Sequence, residues 1–342
     1  MADATADASS RRLDTVRSKA LNLLQGYGIL LLLAALVAAV AIGEPAFLTS
    51  RNLLNLLQQW APIGIMAMAG TFVMIGGGFD LSVGGIFVLA GVMFAGLARD
   101  GLFEFGVPVA LIVGLGLGIA NGLIITRAGV NAFIATIGMG QVARGLALIY
   151  SGAAPIILTD NAAFGVLGQS RVGQLAWSAV ILVGLFLIGG AVLSRSVYGR
   201  TVYAVGGNPA ASRLSGIAVE RVLVGTYAIS GIAAALAGMI FFSRLGISQA
   251  DAAVLIEVDV IIAIVLGGTA VGGGVGAMWR TAVGVAILAV MENGFDTLNL
   301  GSFYQDVIKG SILVAAVAWD VWSRRRKGAA AAAVGGTDVG TR

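Results

Sequence analysis

Cysteine and histidine are both absent from the 342 residues. Their absence excludes disulfides, thiol chemistry, thiolate or imidazole metal centres and any histidine-based triad. Charge is sparse, at 11% Asp, Glu, Lys and Arg, where soluble domains carry roughly 25%. Proline occurs only 5 times, and the aromatics, at 7%, are scattered. No G-x-x-x-x-G-K-[ST] phosphate loop occurs, and Lys19, Lys309 and Lys327 all stand in other contexts. Any nucleotide hydrolysis therefore belongs to another chain. No catalytic residue, metal or cofactor is expected on this one. What fills the sequence instead is 58% apolar residues and 51 glycines, with a mean hydropathy of +0.96. That composition describes an all-α integral membrane protein whose helices approach closely through small residues.

Crossing about 30 Å of hydrocarbon takes roughly 20 residues. Ten apolar runs approach that length: 26–43, 61–78, 81–98, 106–126, 131–150, 176–193, 222–243, 258–274, 278–295 and 303–322. Ten crossings put both ends on one side. With the ends in the cytoplasm, fifteen of the 21 lysines and arginines fall inside, counting Arg280 at the inner end of its run, four outside (Arg51, Arg99, Arg171, Arg244) and two, Arg144 and Lys309, deeper within runs. The positive-inside rule supports that orientation. The pI near 9.7 then reports topology, and no nucleic-acid partner is expected. The chain divides into a cytoplasmic tail, 1–25, a transmembrane domain, 26–322, with a cytoplasmic loop at 194–221, and a second tail, 323–342. "VAAVAIGE" resembles a cleavage site, but the polar lead of 25 residues favours a retained anchor.

One polar island interrupts this pattern, "RTVYAVGGNPAASRLSGIAVER" at 200–221. Asn208 is a good N-cap, Pro209 suits the first helical position, and Gly216 suits the left-handed residue that ends a helix. The island is predicted to be a short surface helix, either a simple tie between two spans or a docking element for a partner. Here the chain resembles the permease subunits of ribose-type sugar ABC importers. "GGNPAASRLSGI" looks like their cytoplasmic coupling loop, and "GGGFDLSVGG" (76–85) like their Gly-rich Asp-Leu-Ser-Val-Gly motif. "NAFIATIGMGQVARGLALIYSGAAPI" (131–156) and "IEVDVIIAIVLGGTAVGGGVG" (256–276) are similar to two further family stretches. The likeness is collinear from about residue 45 to 320; Phe79 and Val258 depart from the pattern. It implies import of a ribose-like monosaccharide across the bacterial inner membrane. A second permease subunit, the same chain or a related one, would share the pore. Cytoplasmic ABC ATPase subunits and a periplasmic sugar-binding protein would complete the complex, set in membrane lipid. Gly206, Gly207, Asn208, Pro209, Ala210, Ala211, Arg213, Leu214 and Gly216 would form the ATPase-coupling loop. Asp80, Ser82, Phe133, Thr136, Arg144, Glu257, Asp259 and Thr269 would be pore or gate candidates.

The residues also have plainer readings. Asp80 is either an N-cap for a helix starting near Leu81 or a carboxylate beside a broken, pore-side helix. Arg144, inside a span, pairs with an acid or contacts sugar, and the same holds for Lys309, near Asp306. Glu292 and Asn293 are possible partners. Glu257 and Asp259 begin a span at the outer face, as gate residues or as acids favoured at a helix N-terminus. Gly267-Gly268-Thr269 and Gly272 to Gly276 suggest close packing and a hinge rather than a phosphate cradle. Gly114, Gly118 and Gly122 form one packing face. Phe133, Trp177, Tyr304 and Trp322 fit an interfacial belt, and no stacking platform for a sugar ring is visible. An ion-coupled secondary transporter is the alternative function, with Asp80 and the glycine breaks in its favour. An intramembrane enzyme would need Ser311 beside Lys309.

Overall fold

The computed structural model describes residues 27–252, 255–297 and 301–335. The expected tail at 1–25 and the last residues of the expected tail at 323–342 lie outside them. The elements run α1 (Tyr27–Gly43), α2 (Ser50–Ile75), α3 (Val83–Arg99), α4 (Phe103–Thr126), α5 (Ala132–Ser151), β1 (Ile156–Ile157) and α6 (Ala162–Gln169). After these come β2 (Arg171–Val172), β3 (Leu175–Ala176), α7 (Trp177–Arg195), α8 (Val197–Gly207), α9 (Pro209–Leu214) and α10 (Val219–Leu245). The chain closes with β4 (Ile247–Ser248), α11 (Ile256–Leu266), α12 (Met278–Thr297) and α13 (Ser302–Gly335). Among the described residues, α2, α4, α5, α7 and α10 are long and apolar enough to cross a bilayer, and α1 and α3 are shorter apolar helices.

Every apolar run has become a helix, but three boundaries moved. The run read at 61–78 begins at Ser50, where the Thr49 hydroxyl accepts a hydrogen bond from Asn52 N. Its first turns look polar because Arg51, Asn55 and Gln59 face outward while Leu56 and Trp60 are buried. The run at 258–274 is not a continuous span. Its helix, α11, has 11 residues, about 16 Å, and stops where Gly268 takes φ +80°, followed by left-handed Gly273 and Gly274. At the other extreme, α13 continues as one helix past the expected end at 322 to Gly335.

Helix α10 is the hub, packed on α2, α3 and α4. Apolar surface gains little by leaving lipid for another apolar helix, so close van der Waals contact must hold the bundle. The Gly114, Gly118, Gly122 face supplies it. A Cβ on Gly114 would run into Gly231 O of α10, one on Gly231 into Gly114 O, and one on Gly118 into Tyr227 O. At one end of α7 and α10 lie α8 and α9. At the other, β4 pairs antiparallel with β1 (Ile156 opposite Ser248), and β2 and β3 form a small hairpin.

Between α2 and α3 the chain is not helical, and this break is deep. Gly85 of α3 backs directly onto Gly140, eight residues into α5, and the Tyr227 hydroxyl, eight residues into α10, donates to Phe79 O at 3.1 Å. Eight residues of helix span about 12 Å, so the break sits roughly that far inside the α8–α9 end of the bundle.

Candidate functional site

Short as it is, α11 lies where the buried charges meet. Residues two apart on a helix point about 200° apart, so Glu257 and Asp259 address opposite neighbours. Glu257 accepts from Arg144 of α5 at 3.1 Å. Asp259 pairs with Lys309 of α13 at 3.2 Å, and Lys309 also reaches Glu292 of α12 at 3.3 Å. Each cation read inside a span is thus matched by an acid, as membrane depth demands. Lys309 takes Asp259 and Glu292 as its carboxylate partners rather than the nearby Asp306. Asn293 bonds instead to Asn52 of α2, at 3.1 Å. Glu257 does not stand at an outer face. Its carboxylate occupies the space a Cβ on Gly84 would need, at the second residue of α3 and about 22 Å of helix from Arg99.

The first turn of α3 has a second polar group on its other flank. Asp80 is buried, with one carboxylate oxygen accepting from Ser82 N (3.0 Å) and from the Ser82 hydroxyl. Asn121 of α4 donates to that same hydroxyl at 2.8 Å. Asp80 therefore closes a turn ahead of the helix. The N-cap of α3 is Ser82, which makes no capping bond through its side chain. The second Asp80 oxygen, Asn121 Oδ1 and the Ser230 hydroxyl have no hydrogen-bond partner among the described residues.

Below the break, three glycine-bearing segments meet backbone to backbone. Gly274 N donates to Ile75 O, the last carbonyl of α2, at 2.8 Å. Gly206, near the end of α8, packs so closely that a Cβ would enter that same carbonyl. A Cβ on Gly273 would lie 2.8 Å from Gly206 O and from Gly77 Cα. Tyr203 of α8 donates to Gly276 O at 2.7 Å. The Gly272–Gly276 stretch is thus a junction between the helix break and the polar island.

The island itself holds two helices. The Ser196 hydroxyl accepts from Gly199 N at 3.0 Å and starts α8, so the lead-in 197–207, expected as loop, is helical. Asn208 Oδ1 accepts from Ala211 N at 3.0 Å, Pro209 opens α9, and Gly216 takes φ +81° after it. Arg213 is exposed, and Leu214 is 91% exposed at the tip, while Ala210 and Ala211 leave the surface around them low.

Residues 52–317 match a family described as the permease component of a branched-chain amino acid transport system. The chain belongs to this permease family. The ribose import permease protein of Bacillus subtilis (strain 168) is 40% identical over 304 residues, 87% of this chain and 94% of that protein. The ribose import permease protein of Escherichia coli (strain K12) is 37% identical, covering 85% and 92%. The L-arabinose transport system permease protein of E. coli (strain K12) is 35% identical, covering 88% and 92%. No solved structure matches the chain.

In this permease, Asp80, Ser82, Arg144 and Glu257 converge around the first turn of α3, and Asp259 lies one turn along α11. Thr269 is buried beside Gly276, at the junction. Phe133 and Thr136 do not join that cluster. Phe133 is exposed on α5, and the Thr136 hydroxyl bonds back to Ala132 O in its own helix. Sequence reasoning missed Asn121, Tyr203 and Tyr227, because nothing in the spacing of a polar residue within an apolar run says which neighbour it will meet. Among the described residues, no group of acids is arranged to hold a metal ion.

Proposed function

We propose that the chain is the membrane-spanning subunit of an ATP-driven importer of a monosaccharide of the ribose or arabinose class, in the bacterial inner membrane. The relatives' names favour a sugar over the amino acid in the family's description. One observation carries the mechanism: the backbone junction that joins α8 to the helix break at Gly76–Ser82. In this reading α8 and α9 lie in the cytoplasm with both chain ends, and α9 docks on an ATPase subunit through Arg213 and Leu214. The chain crosses ten times, with the short α11 and the non-helical chain around it making the eighth crossing. ATP binding draws the α9 helices of two permease subunits, two copies of this chain or one and a related chain, toward each other. That motion passes through Gly206 and Gly274 to the end of α2, and re-aims the break and the α3 turn above it. A periplasmic protein delivers the sugar from the other side. Hydrolysis takes place on the ATPase chains, and this chain supplies a path and a lever.

The test is purification of the tagged chain from its own membranes in mild detergent. The proposal expects an ABC ATPase to co-purify, and Arg213→Glu to lose it while still inserting. A chain that purifies alone, and whose Arg213→Glu variant imports normally, overturns the coupling assignment.

A further inference from the structure

The spanning helices differ in what their uncovered faces carry. Halfway along α4 and α7 those faces are apolar, with Ile112 and Leu187 well exposed. Helix α5 is different. Thr136, Gly140, Ala143 and Ala147 form its buried side, and Ile134, Gly138, Gln141 and Gly145 line the other at the same helical spacing. Gln141 is nine residues from Ala132 and ten from Ser151, hence about 14 Å from either end. It is exposed, and its amide makes no hydrogen bond among the described residues. Around it, Cβ atoms on Gly138 and Gly145 would meet only open space.

An amide at that depth against lipid tails would forfeit its hydrogen bonds, at a cost of several kcal/mol. The Gln141 face must therefore meet water or protein; Gly116 beside Ile112 and Gly184 beside Leu187 are equally open, so it is the amide that sets this face apart. We infer that this face of α5 lines a water-filled passage and that the Gln141 amide, both donor and acceptor, hydrogen-bonds solute hydroxyls as they pass. The identity of the solute rests on the proposed sugar import; the water lining does not.

The chain has no cysteine of its own, so one introduced thiol is unique. Gln141→Cys and Gly138→Cys are compared with Ile112→Cys and Leu187→Cys as lipid-facing controls. The intact complex in membrane vesicles is treated with a charged thiol reagent from either side, with and without ATP. The inference expects Gln141→Cys to react about tenfold faster or more than Ile112→Cys in at least one nucleotide state, and excess ribose or arabinose to slow it. Reaction as slow as that of Ile112→Cys in every state overturns the inference, as does a disulfide between two Gln141→Cys copies without labelling. Labelling that neither sugar slows overturns the contact assigned to the amide. Failure of the sugar-import reading shows separately, as absent ATP-driven sugar uptake by the unaltered chain, while the labelling comparison still reports on water.

Discussion

Two neighbouring glycines at the end of α8 offer a controlled test of the junction. A methyl on Gly206 would press into Ile75 O and stand 2.7 Å from Gly274 N, the two groups that bond at 2.8 Å. Because these are backbone atoms, no rotamer change relieves the clash: either the bond stretches or α8 moves. Overpacking of this kind costs about 1–3 kcal/mol, and loss of the bond adds about 0.5–1.5 kcal/mol. The overpacking cost alone, about 1–3 kcal/mol, borne only by conformations with the junction closed, shifts a two-state equilibrium by about 5- to 150-fold. A methyl on Gly207, one residue on, meets nothing within 4 Å. In proteoliposomes carrying the full complex, Gly206→Ala should lower sugar imported per ATP hydrolysed by about tenfold. Gly207→Ala should stay within about twofold of the parent, and both should insert equally well. Equal coupling in the two variants would refute the junction as the transmission path.

Other outcomes follow from the same contacts. Lys309→Met leaves Asp259 and Glu292 facing each other without their cation. The pair is largely buried, with Lys309 at 13% exposure, so a loss near the 3–5 kcal/mol of a broken buried pair should appear as lower thermal stability in detergent. For Arg144 and Glu257, the double variant Arg144→Met with Glu257→Gln should be more stable than either single change. Additive losses in that cycle would show the pair to be uncoupled. Gly216→Val forces a branched side chain to φ +81° and should cost about 1–3 kcal/mol locally; the expected readout is weaker ATPase association with normal insertion. Asn208→Ala removes a cap worth about 1 kcal/mol and should give a milder form of the same defect.

Much of the fold was legible along the chain because its causes are local. Ten apolar runs became helices, Asn208 and Pro209 began α9 as their chemistry dictates, and the glycines at spacing four on α4 marked a helix seam. The start of α2 was hidden because Arg51, Asn55 and Gln59 give an apolar helix a polar surface at its first turns. The brevity of α11 was hidden because Ala270, Val271 and Val275 keep the stretch after Gly267 and Gly268 apolar once the glycines have ended the helix. What the sequence could not reveal were meetings between distant segments. Glu257 and Asp259 stood out as a motif, yet their division between Arg144 and Lys309 depends on α11 lying among α5, α12 and α13. Gln141 drew no notice inside an ordinary amphipathic-looking stretch, since only the packed bundle shows which face of α5 remains open.

The central claim, a sugar path driven by a partner's ATP hydrolysis, is tested most directly by uptake of radiolabelled ribose and arabinose into proteoliposomes. They would hold this chain with its co-purified ATPase, with the periplasmic protein added outside. The account predicts uptake of one of these sugars that requires ATP in the lumen and all three components, and that does not respond to collapsing proton or sodium gradients. Uptake by this chain alone, driven by an ion gradient and indifferent to ATP, would contradict it and make the protein a secondary carrier.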